Sequence, residues 1–320
     1  MNPRLKLLVI TCGIVGLILF NISFLFSQDK DLPQWLKMEQ GIQRYDEGQL
    51  GTALSIFRTI AEDDPQYANV HMWIGHVFAA EGEYLAAMDK YEDALSDGRN
   101  FFPQSERINA YYSLAEVARR LEDWESMHTY LQAVVDEALI DPLPTERIEA
   151  MRRKFIEEGP DKLLELYRIN DKPVRAAYEK LGILALQQED YPRALQNLLL
   201  SITTSLSLAI EVLQDRDPEY VFVQSEMNPG LKRFFIRNTA SLLKESREVP
   251  HIKEYFKSIG LYRQLYLLGL AMLGSDAEEA AKEIWTLVAT HSEAEKWANL
   301  ARNQLGSSSL KVLPTVLHYR

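Results

Sequence analysis

Six histidines, His71, His76, His128, His251, His291 and His318, are the side chains of this 320-residue chain best suited to holding a metal or moving a proton near neutral pH. His71 and His76 come nearest to a ligand pair. Their separation turns them to different sides of a helix, so they read as packing or solvated residues, and no metal or other cofactor is expected. The carboxylates of Glu62-Asp63-Asp64 and Asp215-Arg216-Asp217 would serve acid–base catalysis only as desolvated pairs in a pocket. They suit helix ends better. No HExxH zinc pattern, phosphate-binding Walker loop, GxSxG nucleophile turn or paired-cysteine metal spacing occurs. On its chemistry-bearing residues, the chain is not expected to be an enzyme.

The elements that would have to position any site are helices. Asn69–Leu95 reads as two amphipathic helices joined at Glu81-Gly82-Glu83. Ile74, Gly75 and Phe78 share one face of the first, and Ala87, Tyr91 and Ala94 share one face of the second. Gly75 and Ala87 stand where two antiparallel helices would cross closely. Gly41, Ala53, Phe57 and Ile60 repeat the pattern 34 residues earlier, with Gly48-Gln49-Leu50 as the turn. A third copy holds Leu114, Ala115, Ala118, the turn Glu122-Asp123-Trp124, then Met127, Leu131 and Val134. A fourth holds Leu181, Gly182, Ala185, the turn Glu189-Asp190-Tyr191, then Ala194 and Leu198, and its second helix runs on through Leu206, Ile210 and Leu213. The last holds Leu268, Gly269, Met272, Ala281, Trp285 and Val288. The copies occupy about 34–65, 68–99, 108–139, 175–207 and 262–293. A degenerate pair fills 141–173, an irregular insertion 215–260, and a final helix Ala294–Leu305 is expected to cover the edge of the stack.

This order of small and large residues resembles the tetratricopeptide repeat (TPR) superfamily, and within it a membrane-anchored bacterial member. The resemblance covers Gln34–Leu305. It implies an all-α fold: a right-handed superhelical solenoid of antiparallel helix pairs, preceded by one N-terminal transmembrane helix. Gly41, Ala53, Phe57, Gly75, Phe78, Ala87, Tyr91, Gly182, Ala194, Gly269, Ala281 and Trp285 would be its packing residues. It also implies a groove lined by the first helix of each pair. By register the groove positions are Trp35, Met38, Ile42 and Tyr45; Asn69, Met72 and His76; Asn109, Tyr112, Glu116 and Arg119; Glu179, Ile183 and Leu186; Arg263, Tyr266 and Leu270. Relatives that clamp a peptide's terminal carboxylate use asparagine and lysine at set positions. Here Ile42, His76 and Glu116 occupy the asparagine position, so no such clamp is implied. The remaining lining is rich in aromatics and methionine, suited to an apolar strand or helix of a protein or peptide partner.

Charge narrows the partners. The chain carries 35 Lys+Arg against 46 Asp+Glu. Beyond residue 31 these become 32 against 44, a net charge of −12, which repels phosphate backbones and disfavours nucleic acid. Leu7–Phe26 is 20 residues without a charge, long enough to span a bilayer core. Arg4 and Lys6 precede it, so residues 1–6 are expected in the cytoplasm. The remainder, after a spacer at 27–33, would then be extracytoplasmic, in the periplasm if the cell has one. Phe24-Leu25-Phe26-Ser27 offers no small-x-small cleavage site, which favours an uncleaved signal anchor in the cytoplasmic membrane. Cys12 lies inside this run and reads as a thiol within the membrane, lipid attachment being the alternative. Past the anchor there is no cysteine and hence no disulfide.

Two functions follow from these residues. The first is a membrane-tethered scaffold gripping a protein or peptide in its groove. The alternative is a small-ligand-binding or enzymatic protein whose 215–260 insertion forms a lid over a pocket. In that insertion an extended piece is expected at Tyr220–Val223 and helices at Leu231–Lys244 and His251–Ile259. A basic stripe, Lys232, Arg233, Arg237, Lys244 and Arg247, is read as a solvated face that could also meet headgroups or an acidic partner. After a hinge at Gly306-Ser307-Ser308-Ser309, the apolar tail Leu310–Arg320 is expected to fold back on the repeats. Oligomeric state is open.

Overall fold

The computed structural model describes residues 32–60, 64, 67–96, 101–139, 143–159, 163, 171–216, 220–222, 234–236, 239–291 and 294–307. The expected anchor 7–26 with Cys12, the second helix of the degenerate pair apart from Leu163, the whole tail Leu310–Arg320, and Lys232, Arg233 and Arg237 lie outside these residues. By its contacts the chain divides after Val117 into two units.

The first unit holds α1 (Gln34–Asp46), α2 (Leu50–Phe57), α3 (Tyr67–Glu81), α4 (Tyr84–Ser96) and most of α5 (Glu106–Arg120). The second holds the end of α5 and α6 (Trp124–Ala138), α7 (Thr145–Glu158), a 3₁₀ turn at Lys172–Val174, α8 (Arg175–Gln187) and α9 (Tyr191–Arg216). Then come strands β1 (Tyr220–Phe222) and β2 (Phe234–Ile236), followed by α10 (Thr239–Arg247), α11 (Pro250–Ser258), α12 (Leu261–Gly274), α13 (Glu278–Ala289) and α14 (Lys296–Leu305).

One turn recurs five times. Gly48, Gly82, Glu122, Glu189 and Asp276 all take a left-handed φ, between 58° and 82°. In each case the next residue's N–H donates five residues back: Gln49 to Arg44, Glu83 to Phe78, Asp123 to Ala118, Asp190 to Ala185 and Ala277 to Met272, all at 2.8–2.9 Å. A second bond runs from the left-handed residue itself to the carbonyl three back. Together they satisfy carbonyls that the helix end would otherwise strand, and the reversed φ sends the chain back along the helix. The first residue after the reversal then starts the second helix, its carbonyl accepting from Ala53, Ala87, Met127, Ala194 or Ala281.

The turn fixes what meets across each pair. Seven residues before the reversal stand Gly41, Gly75, Ala115, Gly182 and Gly269; nine after it stand Phe57, Tyr91, Leu131, Leu198 and Trp285. A methyl group added at Gly75 would lie 2.6 Å from Tyr91 Cε1, and one at Gly182 would lie 2.7 Å from Leu198 Cγ. Gly41 faces the Phe57 ring and Gly269 the Trp285 indole still more closely. At the four glycine crossings the large side chain therefore lies against the opposing backbone, an approach that only glycine permits. Ala53, Ala87, Ala194 and Ala281 are fully buried alongside, while Phe78 is half-buried.

In the first unit Met38, Ala53, Phe57, Ile60, Val70 and Val77 form the core, with Trp73 and Tyr45 packed against it. Asn69 is buried and acts as a surrogate strand edge. Its Nδ2 donates to the Phe102 carbonyl at 3.2 Å, and its Oδ1 accepts from the Phe102 N–H at 2.9 Å, pinning the connector before α5.

In the second unit α9 is the central strut. Tyr191–Asp215 has the length and apolarity of a membrane span, yet its most apolar part is mostly buried inside the protein, and the helix packs against α8 and α12, so it is a core helix. Four of its buried hydroxyls are satisfied internally: Thr204, Ser205 and Ser207 donate to carbonyls four residues back, and Ser201 Oγ donates to Gln264 Oε1 at 3.0 Å, whereas the buried Thr203 hydroxyl has no hydrogen-bond partner among the described residues. β1 pairs with β2 in parallel, Tyr220 opposite Phe234 and Phe222 opposite Ile236. The helix expected from Leu231 thus starts only at Thr239, because the run Phe234-Phe235-Ile236 is aromatic and β-branched and finds a strand partner.

Candidate functional site

The residues expected to line a groove divide by burial. In the first unit Trp35 is 60% exposed at the start of α1. Tyr45, from α1, meets two residues of α3: its ring is edge-on to Trp73 at 5.5 Å and tilted against His76 at 6.4 Å. His76 in turn is edge-on to Trp73 and to Tyr91, and its Nδ1 lies 2.7 Å from the Tyr91 hydroxyl. The result is a ladder of rings across the first helices of two successive pairs, partly open to solvent. Burial lowers the His76 pKa from 6.5 to about 4, so the ring is neutral and shares one hydrogen bond with the Tyr91 hydroxyl through Nδ1. Burial likewise pushes the Tyr91 phenol above its usual value, against a hydrogen bond to Ser113. Tyr112, Glu116 and Arg119 sit half-buried along α5 and are engaged with neighbouring groups.

Seven groove positions, Met38, Asn69, Met72, Ile183, Leu186, Tyr266 and Leu270, are buried and not available to a partner. Met38 and Met72 are buried in the first unit because the core of each pair extends under the register positions expected to face outward. Ile183 is buried because α8 is enclosed by α6, α9 and α12. Tyr266 is fully buried because α14 closes over α12: Gln304 Nε2 donates to its hydroxyl at 3.4 Å, and its ring lies 5.7 Å from Trp297. Asn69 is spent on Phe102. Of the positions proposed by register, the structure brings together Tyr45 with His76, and Glu179 with Arg263.

That second pair opens onto a cavity no motif announced. Arg263 lies 3.8 Å from Glu179, and Arg175 reaches the same carboxylate at 3.4 Å. Burial pushes the Glu179 carboxyl above its ordinary pKa despite both guanidinium groups. Two arginines thus share one carboxylate. Arg263 continues into a cavity of about 310 Å3 formed by the end of α10, α11, the start of α12 and the start of α14. Among the described residues Arg247, Lys253, Lys257, Arg263 and Lys296 line it against two carboxylates, Glu254 and Glu295. Phe256, Tyr262 and Trp297 form its walls, with Lys296 Nζ 5.3 Å from the centre of the Trp297 ring. Of the expected basic stripe, Arg247 lines the cavity. Sequence reasoning missed Lys253, Lys257 and Lys296 because they are scattered over two helices, and missed Trp73 because the repeat register assigns it no role. Among the described residues no cluster of three metal-ligating side chains occurs.

No protein-family model matches the chain. An uncharacterized protein of Treponema pallidum (strain Nichols) is 22% identical over 251 residues, which cover 76% of this chain and 63% of that protein. The chain therefore spans less than two-thirds of its relative's length. Among solved structures, BtubC from P. vanneervenii aligns at a TM-score of 0.40 with 15% identity over 85% of this chain and 82% of the other. PilF of Pseudomonas aeruginosa aligns at 0.37 with 16% identity over 86% and 98%. The RpL4 assembly chaperone Acl4 aligns at 0.33 with 16% identity over 86% and 97%. Scores at this level are too low to carry an inference about fold or function.

Proposed function

We propose that this protein is a TPR-like interaction scaffold that takes a protein or peptide partner on the first helices of its pairs. A tether through residues 7–26 would hold its helical part outside the cytoplasmic membrane. The observation that carries the reading is the recurrence of one turn and one small–large crossing in five helix pairs at constant offsets. Such regularity builds a stack whose first helices present neighbouring side chains side by side, as Tyr45 and His76 do. The exposed Trp35 and the Tyr45–Trp73–His76 ladder supply aromatic surface of the kind that dominates interface energetics.

The test is quantitative co-isolation of the full chain from detergent-solubilised membranes. A partner in fixed stoichiometry should be retained by the parent and lost from a Trp35→Glu, Tyr45→Glu double variant that melts like the parent. Retention by that variant sinks the site. Tethering has its own test: protease added to spheroplasts should digest the helical part, and intact cells should protect it. Digestion only after the inner membrane is lysed would refute that orientation.

A further inference from the structure

We propose that the cavity between α10, α11, α12 and the start of α14 binds an organic anion, a carboxylate or phosphate carried on a planar or apolar body. The inference stands apart from the partner reading above, since the cavity is lined by residues of the second unit alone and shares none with the aromatic ladder.

The first ground is the local reversal of charge. Beyond residue 31 the chain has a net charge of −12, yet the described residues of this lining set five cations against two carboxylates. The second is how those cations are placed. Lys253 and Lys257 are one turn apart on α11, so like charges stack on the face that borders the cavity, an arrangement that works against the helix. Arg263 and Arg175 crowd two guanidinium groups onto the one Glu179 carboxylate. An anion in the cavity would relieve both. The third is shape and lining. A volume of about 310 Å3 is at the small end of ligand pockets, and a recess suits a discrete group where a flat basic face would suit a membrane. Tyr262 and Trp297 give that group a planar wall to lie on. Trp297 is backed by the buried Tyr266 ring, and Lys296 sits over the indole, so the wall is fixed and its positive end is at hand. Guanidinium and ammonium groups from separate helices can then converge on one anionic head.

The same chemistry can arrive as a free small molecule or as an acidic and aromatic side-chain pair on a partner. Full-length protein in neutral detergent is titrated with phenyl phosphate, with inorganic phosphate, and with the acetylated dipeptide phenylalanyl-aspartate. Saturable binding of phenyl phosphate is expected, tighter than that of inorganic phosphate. Lys253→Glu, Lys257→Glu should weaken it about 10-fold or more, and Arg58→Glu, an exposed reversal in the other unit, should leave it unchanged. If the double variant does not fold, Lys257→Met carries the test with a loss of about 3-fold. The same pattern seen with the dipeptide and not phenyl phosphate supports the site and assigns its ligand to a partner. The proposal is overturned if neither probe saturates below about 10 mM, or if the α11 variants bind like the parent. Equal weakening by Arg58→Glu, or binding confined to phosphatidylglycerol vesicles, overturns it as well.

Discussion

Gly75 and Tyr91 should be energetically coupled, and the size of the coupling can be worked from their contact. A methyl group at Gly75 would lie 2.6 Å from Tyr91 Cε1, 2.8 Å from Cδ1 and 3.1 Å from Cζ. Carbon atoms rest at about 3.5–4.0 Å, so the ring must retreat by roughly 1 Å. It has little freedom to do so: Tyr91 is 1% exposed, and its hydroxyl is held by His76 Nδ1 at 2.7 Å. Gly75→Ala should therefore cost about 1–3 kcal/mol, the range for overpacking a filled core. Tyr91→Leu removes the hydroxyl and part of the ring and should cost on the order of 1–3 kcal/mol by lost contacts. The double variant is different, because it recreates the pairing that the register places at Ala115 and Leu131. Leucine leaves the room that the new methyl needs, so the combined cost should fall short of the sum by at least about 1 kcal/mol. Denaturant unfolding of the full chain, followed by circular dichroism, gives all four corners of the cycle. Additivity within about 0.3 kcal/mol would show that the two positions do not press on one another, and would undo the crossing described here.

Three further outcomes follow from the same geometry. His76 has a folded pKa of about 4 against 6.5 unfolded, so the folded state binds fewer protons. The stability it contributes is complete above pH 6.5 and is lost as pH falls toward 4, by up to roughly 3 kcal/mol; His76→Phe should flatten that part of the profile, and an unchanged slope would show that other groups set it. Trp285→Ala should cost about 3–5 kcal/mol in a melt because the indole is fully buried. Trp285→Phe should cost about 1 kcal/mol for the lost bond from Nε1 to the Tyr266 carbonyl plus the packing lost with the smaller ring, and a smaller loss for alanine than for phenylalanine would contradict the packing. At the turns, Gly82→Ala should destabilise by about 1 kcal/mol because alanine resists a φ of 82°, whereas Glu189→Gly should be neutral or stabilising. Equal effects at the two positions would mean the turns are not equivalent.

The helices were legible because each pair repeats one rule, and that rule is visible in residue types. Gly41, Gly75, Gly182 and Gly269 stand at fixed distances from Phe57, Tyr91, Leu198 and Trp285, and backbone packing makes those distances compulsory. The turns were legible where glycine marks them and less so at Glu122, Glu189 and Asp276, where the same backbone state is held by hydrogen bonds and not announced by residue type. Groove positions were harder. A helix face that points outward in one pair is covered in another by whatever follows, as Tyr266 is by α14 and Ile183 by its neighbours, and register alone cannot say where a later helix lands. The Phe234–Ile236 strand depended on a pairing with Tyr220–Phe222, distant in sequence, a contact no local periodicity encodes. The cation-lined cavity is of the same kind, assembled from residues 247 to 296 by packing alone.

The scaffold reading meets its most direct test in site-specific photocrosslinking of the full chain in its native membrane. A benzophenone side chain is placed at Trp35 or Tyr45 on a first helix, or at Leu85, which is 69% exposed on a second helix. The account predicts one discrete protein adduct from Trp35 and from Tyr45 and none from Leu85. Adducts of equal yield from Leu85, or none from either first-helix position, would contradict it.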